Sequence, residues 1–266
     1  MKKKFSIIFM MLMVFFSVNE TMAESVKQIE RAKILADVSV YGTFILFDVN
    51  KEWNLKGSKD KESGVKEARD VIYAYRDKVL VDSYLTLGLT EGSFFLLRLN
   101  TYELLNSQDL ISRLMTTEIG RYLTIRHVFT GVTKKLNYAS KYPEILKQLN
   151  SIGYEGELPR YAIIIPVKKD SLWWNTPEDE RDIMMLEHIM PTLQYLSVVK
   201  RKLYHATGIS DADFITYFET NSLVDFNDLV IAIRRTREDS YNVRQGSPTI
   251  VGTIRDLDDI LNILKK

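Results

Sequence analysis

The feature that most narrows the fold of this chain is that it repeats itself. Tyr41 recurs as Tyr161, Trp53 as Trp173, Tyr84 as Tyr204, Gly88 as Gly208 and Phe94 as Phe214, each pair 120 positions apart, and Gly131 returns as Gly252 at 121. Aromatics and glycines that stay in phase over a whole half-chain mark a duplicated supersecondary unit. The first copy spells the unit out. Val38 to Phe47 is a β-branched and aromatic run that reads as a strand, and a polar stretch from Asn50 to Gly64 follows. A helical pattern near Val65 to Tyr75 comes next, then strands near Val79 to Leu87 and Ser93 to Leu99 around a turn at Gly88 to Gly92. A helix over Leu104 to Met115 and a strand over Val128 to Thr133 close the copy. The order β-α-β-β-α-β is one ferredoxin-like unit.

Two such units predict an α+β fold with a specific architecture. A four-stranded antiparallel sheet with helices on one face leaves its other face to be covered, and a sister sheet is the simplest cover. The expectation is therefore two tandem ferredoxin-like units forming a paired-sheet, dimeric α+β barrel. Tyr138 to Leu158 joins the copies, so the units run over residues 24–150 and 151–266.

The first 23 residues stand apart. Lys2, Lys3 and Lys4 precede the apolar run Phe5 to Val18, and Thr21-Met22-Ala23 supplies small residues around a cleavage point, the pattern of a secretory signal. The run is shorter than the ~20 residues a spanning helix needs, so the mature chain is expected to be soluble, periplasmic and free of the membrane. With Lys+Arg 36 against Asp+Glu 35 there is no basic footprint for nucleic acid and no charge surplus for a membrane surface, which favours a small partner. The absence of cysteine excludes thiolate ligation of a metal or haem.

Comparing the copies is more informative than reading either. Opposite Lys169 the first copy has Val49, opposite His188 it has Ala68, and opposite Arg201 it has Val81. Polar groups facing a core cost a few kcal/mol unless they find partners, so a gain at three places in one copy suggests a site. Thr176-Pro177-Glu178-Asp179 reads as a helix start with Thr176 as N-cap and Pro177 at the first helical position. Met184 and Met185 then share the side of His188. An imidazole on that apolar, sulfur-rich face is either a satisfied core histidine or a haem-iron ligand. On the strand Val198 to His205, Arg201 offers a permanently charged planar fork, or is merely an exposed strand arginine. His205, on the same strand face roughly 13 Å away at ~3.3 Å per residue, is the rival ligand, and His127 has no partner pattern. Lys168-Lys169-Asp170 with Trp173-Trp174 is either a solvated loop or the rim of a pocket for a flat anion such as a haem with its propionates. Arg234 to Glu238 reads as a charged helix end.

These strings carry a resemblance. Tyr161 to Asp170 with Trp173-Trp174, Glu187-His188, Lys200 to His205 and Asp213 to Thr220, together with Val40 to Phe44 and Gly131 to Lys135 in the first half, resemble the chlorite dismutase family, in particular its long, exported, two-domain branch. The resemblance implies a haem b enzyme, one haem per chain, that converts chlorite to chloride and dioxygen with O–O bond formation on a histidine-ligated ferric haem. Carried over residue by residue, it implies that His188 is the axial iron ligand and Glu238 the acceptor for its other ring nitrogen. It implies that Arg201 is the distal catalytic arginine, and that Lys169, Trp173, Trp174 and Tyr138 surround the haem edge and propionates. It further implies a homopentamer. Gln245 departs from the pattern, which has a bulky aromatic before the glycine. The alternatives are a haem-dependent peroxidase or a haem-binding carrier of the same superfamily; the related coproporphyrin-haem decarboxylase is cytoplasmic and lacks the distal arginine.

Overall fold

The computed structural model describes residues 28–135, 143–144 and 158–266. The signal segment and Tyr138 lie outside the described residues. A short helix, α1 (Arg31–Ala36), precedes the first unit, which runs β1 (Tyr41–Val49), α2 (Ser58–Ala74), β2 (Leu80–Leu85), β3 (Phe95–Thr101), α3 (Leu104–Thr116) and β4 (Leu123–Val132). The second unit runs β5 (Tyr161–Lys169), α4 (Ser171–Asn175), α5 (Glu178–Ile189), β6 (Val199–His205), β7 (Phe214–Thr220), α6 (Leu223–Ile233), β8 (Asn242–Gln245) and β9 (Ile250–Arg255), and α7 (Leu257–Leu264) follows.

The strand order is β7-β6-β4-β1-β3-β2-β9-β5, and β5 pairs back to β7, so eight strands close a ring through antiparallel ladders. β8 continues along β5 beyond β9, with Val167 opposite Gln245. Each unit contributes the same local order, fourth strand, first, third, second. The units meet at two seams, β4 with β6 and β2 with β9, which the repeat relates to each other.

The recurring residues sit at these seams. A Cβ on Gly131 would stand 2.9 Å from both the His205 carbonyl oxygen and Tyr204 Cβ, and one on Gly252 would stand 3.1 Å from Tyr84 Cβ. Glycine is retained where each unit's fourth strand crosses the tyrosine of the other. Gly88 and Gly208, at φ +79° and +75°, make the equivalent turns.

Three of the four apolar clusters among the described residues follow from the layering. Phe44, Leu46, Tyr84, Leu96, Ile164, Tyr204, Ile215 and Tyr217 fill the space between the sheets. Outside, α2 and α3 cover the first sheet through Ala68, Ile72, Leu110 and Leu114, joined by Ile260, Leu261 and Leu264 of α7. The second unit's outer core, around Ile163, Phe218, Leu229 and Ile233, is smaller. Within the barrel Arg98 is 2% exposed, donates from Nε (3.0 Å) and Nη2 (2.6 Å) to Asp82 Oδ2, and stacks 3.9 Å from the centre of the Tyr217 ring.

Some boundaries differ from the sequence pattern. The polar stretch Asn50 to Gly64 is largely helical: Asn50 accepts from Glu52 N to cap a 3₁₀ turn over Lys51–Leu55, and α2 begins at Ser58. Its first turns are held by a buried lysine, Lys61, whose Nζ donates to the carbonyls of Asn54 (3.1 Å) and Lys266 (3.2 Å). β4 starts at Leu123, well before Val128, because residues 124–128 are all exposed and give no alternation to read. Among the described residues no helix is long and apolar enough to cross a membrane.

Candidate active site

The second unit encloses a cavity of about 500 Å³ between its sheet and its helices. Because side chains alternate along a strand, the sheet wall is built from every second residue: Ile165, Val167 and Lys169 on β5, Phe214, Thr216 and Phe218 on β7, and Val199, Arg201, Leu203 and His205 on β6. Met185 and His188 of α5 and Leu229 and Ile233 of α6 form the helical wall. Six of the seven predicted site residues, all but Tyr138, fall in the described part, and all six line this one space.

α5 carries the central group. It begins at Glu178 with Pro177 as N-cap, and no side chain caps it. The expected cap, Thr176, instead turns its Oγ1 back to the Leu172 carbonyl (2.7 Å) and finishes α4. Glu178, Asp179 and Glu180 complement the helix dipole in the first turn.

His188 sits in the last turn of α5, with its Nδ1 2.8 Å from Glu238 Oε2. Burial, reinforced by the charges of Arg201 and Lys169, pushes the imidazole down to about 3, so the ring is neutral. A carboxylate accepts only, hence Nδ1 carries the hydrogen and the remaining Nε2 has a free lone pair on a cavity-lining ring. Glu238 is only 6% exposed, in a 3₁₀ turn over Arg237–Tyr241 and not at a helix end, since α6 stops at Ile233.

The second oxygen of Glu238 is paired too. Lys169 Nζ donates to Glu238 Oε1 and, at 3.3 Å, to the Glu238 carbonyl. Burial pulls the Lys169 ammonium down to about 8 against the attraction of Asp239, Asp170 and Asp213, so it is still largely cationic at neutral pH. Its ammonium also stands 4.5 Å from the centre of the Trp173 ring. Trp173 is buried against Tyr241, and Trp174, 43% exposed, stacks on Phe214 at the mouth. The two indoles therefore divide between wall and rim.

Arg201 lies on the sheet wall and Val81, its counterpart in the first unit, packs into an apolar core. His205 lines the same cavity, so location alone does not eliminate the rival. It stands edge-on to Phe214 at 5.4 Å, and burial with the nearby Lys134 lowers its pKa. What distinguishes His188 is the carboxylate on its second nitrogen. His127 is exposed on β4 and stacks on Phe129, away from the site.

The structure adds residues that pattern reading missed. Val132 and Lys134 bring the first unit to the cavity edge. Asp213 is buried, accepts from the Lys169 backbone N–H at 2.9 Å and so fixes the end of β5. Gln245 lines the cavity, and its Oε1 is buried without a hydrogen-bond partner, as is Oδ1 of Asn242. The fourth strand breaks after Gln245, where Gly246 and Ser247 both have positive φ.

These residues fit a haem. The cavity lies within the 300–1,000 Å³ usual for cofactor sites, and its walls are chiefly apolar. One neutral imidazole, oriented by a carboxylate, supplies a single axial donor. An arginine stands on another wall, Lys169 and Trp173 are buried in the wall beside the imidazole, and Trp174 stands at the mouth.

Residues 61–255 match the family model described as chlorite dismutase. The chain is 38% identical over 238 residues to a chlorite dismutase of Ideonella dechloratans, covering 89% of this chain and 84% of that one. It is 39% identical to the solved chlorite dismutase of Candidatus Nitrospira defluvii in complex with imidazole, with a TM-score of 0.85 over 89% of this chain and 99% of that one. A heme-binding protein of Thermus thermophilus, 18% identical with a TM-score of 0.71 over 85% of this chain and 95% of that one, shares the fold.

Proposed function

The chain belongs to the chlorite dismutase family, and we propose that it converts chlorite to chloride and dioxygen on one haem b held in the cavity of the second unit. Membership makes it an enzyme of chlorite; the haem stoichiometry, the residue roles and the chemistry below are our reading. One observation carries that reading: the 2.8 Å contact of His188 with Glu238, on the helical side of a cavity whose sheet wall presents Arg201. A second supports it. Variants of the Nitrospira enzyme replace two adjacent tryptophans and an arginine at the same mutual spacing as Trp173, Trp174 and Arg201.

The chemistry a bound haem supplies is oxygen-atom transfer from chlorite and formation of the O–O bond. His188 would hold the haem iron through Nε2. Glu238 accepts the Nδ1 hydrogen and raises the basicity of the ring, and Lys169 holds that carboxylate in place. Arg201, on the sheet wall, would hold the chlorite anion. Such an interaction is worth about 3 kcal/mol in a dry site. The apolar walls exclude water. Lys169, Trp173 and Trp174, which line the cavity, would lie along the edge of the bound haem.

Residues 1–23 serve as a signal peptide, residues 24–150 form the unit without haem and residues 151–266 the haem-binding unit, in a periplasmic homopentamer. Exposed apolar side chains on the helical layer, Ile183, Val224 and Ile231, support burial against other copies.

Adding chlorite to the purified haem form in an oxygen electrode tests the reaction. Dioxygen release is expected; a haem carrier gives none. Arg201→Ala should keep the haem spectrum and lose about 10²- to 10³-fold in turnover, and undiminished oxygen evolution refutes the role of Arg201. His188→Ala should lose the five-coordinate spectrum, whereas a retained spectrum points to His205.

A further inference from the structure

Two successive residues of α5 face two successive residues of the turn that follows α6. His188 meets Glu238 inside the cavity wall, and directly outside it Glu187 meets Arg237. The outer pair is bidentate. Arg237 Nε donates to Glu187 Oε2 at 2.8 Å and Oε1 at 3.2 Å, and its Nη2 donates to Oε1 at 2.5 Å. Both side chains are about half exposed, at 40% and 55%, which for an isolated ion pair means a small effect on stability.

The place of this pair gives it more consequence than its exposure suggests. α5 ends at Ile189, one residue after His188, and the chain continues as a 3₁₀ turn over Met190–Tyr195. A last helical turn has carbonyls without intrahelical partners and frays readily, so the imaginable play of the His188 ring is set by whatever ties that turn down. On the other side, the turn over Arg237–Tyr241 is anchored towards β5 by Lys169 and towards α6 by Arg234 Nη1, 3.5 Å from Asp239 Oδ2. The Glu187–Arg237 fork is the complementary tie, from this turn to α5, in register with the inner contact. A fork of parallel hydrogen bonds fixes orientation as well as distance.

Resting on the reading that His188 is the haem's axial ligand, we propose that Glu187 and Arg237 are positioning residues: their fork sets the distance and plane in which Glu238 accepts from His188 Nδ1, and thereby the donor strength of the imidazole. Neither residue itself lines the cavity, and their effect on the haem passes through the 187–188 and 237–238 peptide segments.

The test uses the haem-loaded protein and reads the ligand bond directly. In Arg237→Gln and Glu187→Gln, the iron–histidine stretch of the ferrous haem should move to lower frequency in resonance Raman spectra. Haem release to apomyoglobin should quicken by about 3- to 10-fold, somewhat below the effect of losing a direct partner of a ligand. The charge-swapped double variant Glu187→Arg, Arg237→Glu should restore both, and Arg237→Lys, which cannot form a fork, should restore them only in part. A purely structural ion pair would instead change the melting temperature while leaving the stretch in place; that result, or single variants with unchanged stretch and release, overturns the proposal. His188→Ala, measured alongside, separates the two levels. Loss of the five-coordinate spectrum there with silent Arg237 variants rejects the clasp alone, while retention of that spectrum rejects the ligand assignment on which it rests.

Discussion

Replacing Asp82 by alanine tests whether the second unit depends on charge buried between the two sheets. Arg98 comes from the first unit and is 2% exposed; its guanidinium lies on the Tyr217 ring of the second unit, and Asp82 is its close carboxylate. Glu219 Oε1 stands farther off, at 3.8 Å. Removing one partner of a buried pair costs about 3–5 kcal/mol because the other charge is left uncompensated. Glu219 remains to compensate in part, so the lower end applies, about 3 kcal/mol. At about 2–4 °C per kcal/mol for a chain of this size, Asp82→Ala should melt roughly 6–12 °C below the parent in a calorimetric scan. Asp82→Ala with Arg98→Met, which removes both charges, should melt closer to the parent than Asp82→Ala alone. The pH dependence has a definite sign. Burial raises the Asp82 carboxyl, but the adjacent Arg98 and Arg31 outweigh it and hold the group below its ordinary value. A carboxylate depressed in the folded state contributes stability above its unfolded pKa of about 3.9, and that contribution is lost as pH falls through the folded value. Asp82→Ala should therefore have a flatter acid limb below about pH 4 than the parent. A variant melting within about 2 °C of the parent, with the same acid limb, would refute the reasoning.

Two further substitutions separate the site from its scaffold. Glu238→Gln keeps the shape of the side chain but gives His188 Nδ1 and Lys169 a neutral partner; haem affinity, measured by transfer to apomyoglobin, should fall about 10- to 100-fold, and an unchanged affinity would remove Glu238 from the account. Gly131→Ala places a Cβ 2.9 Å from the His205 carbonyl oxygen, a backbone atom that cannot yield, and should lose about 1–3 kcal/mol in urea unfolding.

Much of the scaffold was legible because the repeat compares the chain with itself. Tyr84 with Tyr204 and Gly131 with Gly252 recur because the two seams of the barrel are equivalent crossings. Lys169, His188 and Arg201 stood out because Val49, Ala68 and Val81 hold the corresponding places in an apolar core. What escaped the sequence lacks a local signature. The early start of α2 depends on Lys61 reaching a carbonyl 205 residues away. The length of β4 depends on pairing with β1, since its own residues are exposed on both sides. Lys134 reaches the cavity only because β4 runs beside β6. Glu187 and Arg237 lay in strings singled out for their neighbours, and opposite charges on two separated surface turns carry no indication that they meet.

The duplication also accounts for why one copy can be hollow. In the first unit Trp53 is buried and donates its indole N–H to the Leu264 carbonyl at 2.8 Å, which seats α7 over α2 and completes a core of large side chains. Its counterpart, Trp173, packs instead against Tyr241 and the Lys169 ammonium, and the described elements around it leave about 500 Å³ open. An open space of this kind lacks the dispersion contacts that stabilise a close-packed core. The filled unit compensates through the shared barrel, where Arg98, Asp82 and Tyr84 of one copy meet Tyr217 and Glu219 of the other. Tyr217 and Glu219 alternate along β7 with Thr216 and Phe218, which line the cavity on the opposite face of the strand. The same strand therefore transmits the rigidity of the closed copy to the wall of the open one.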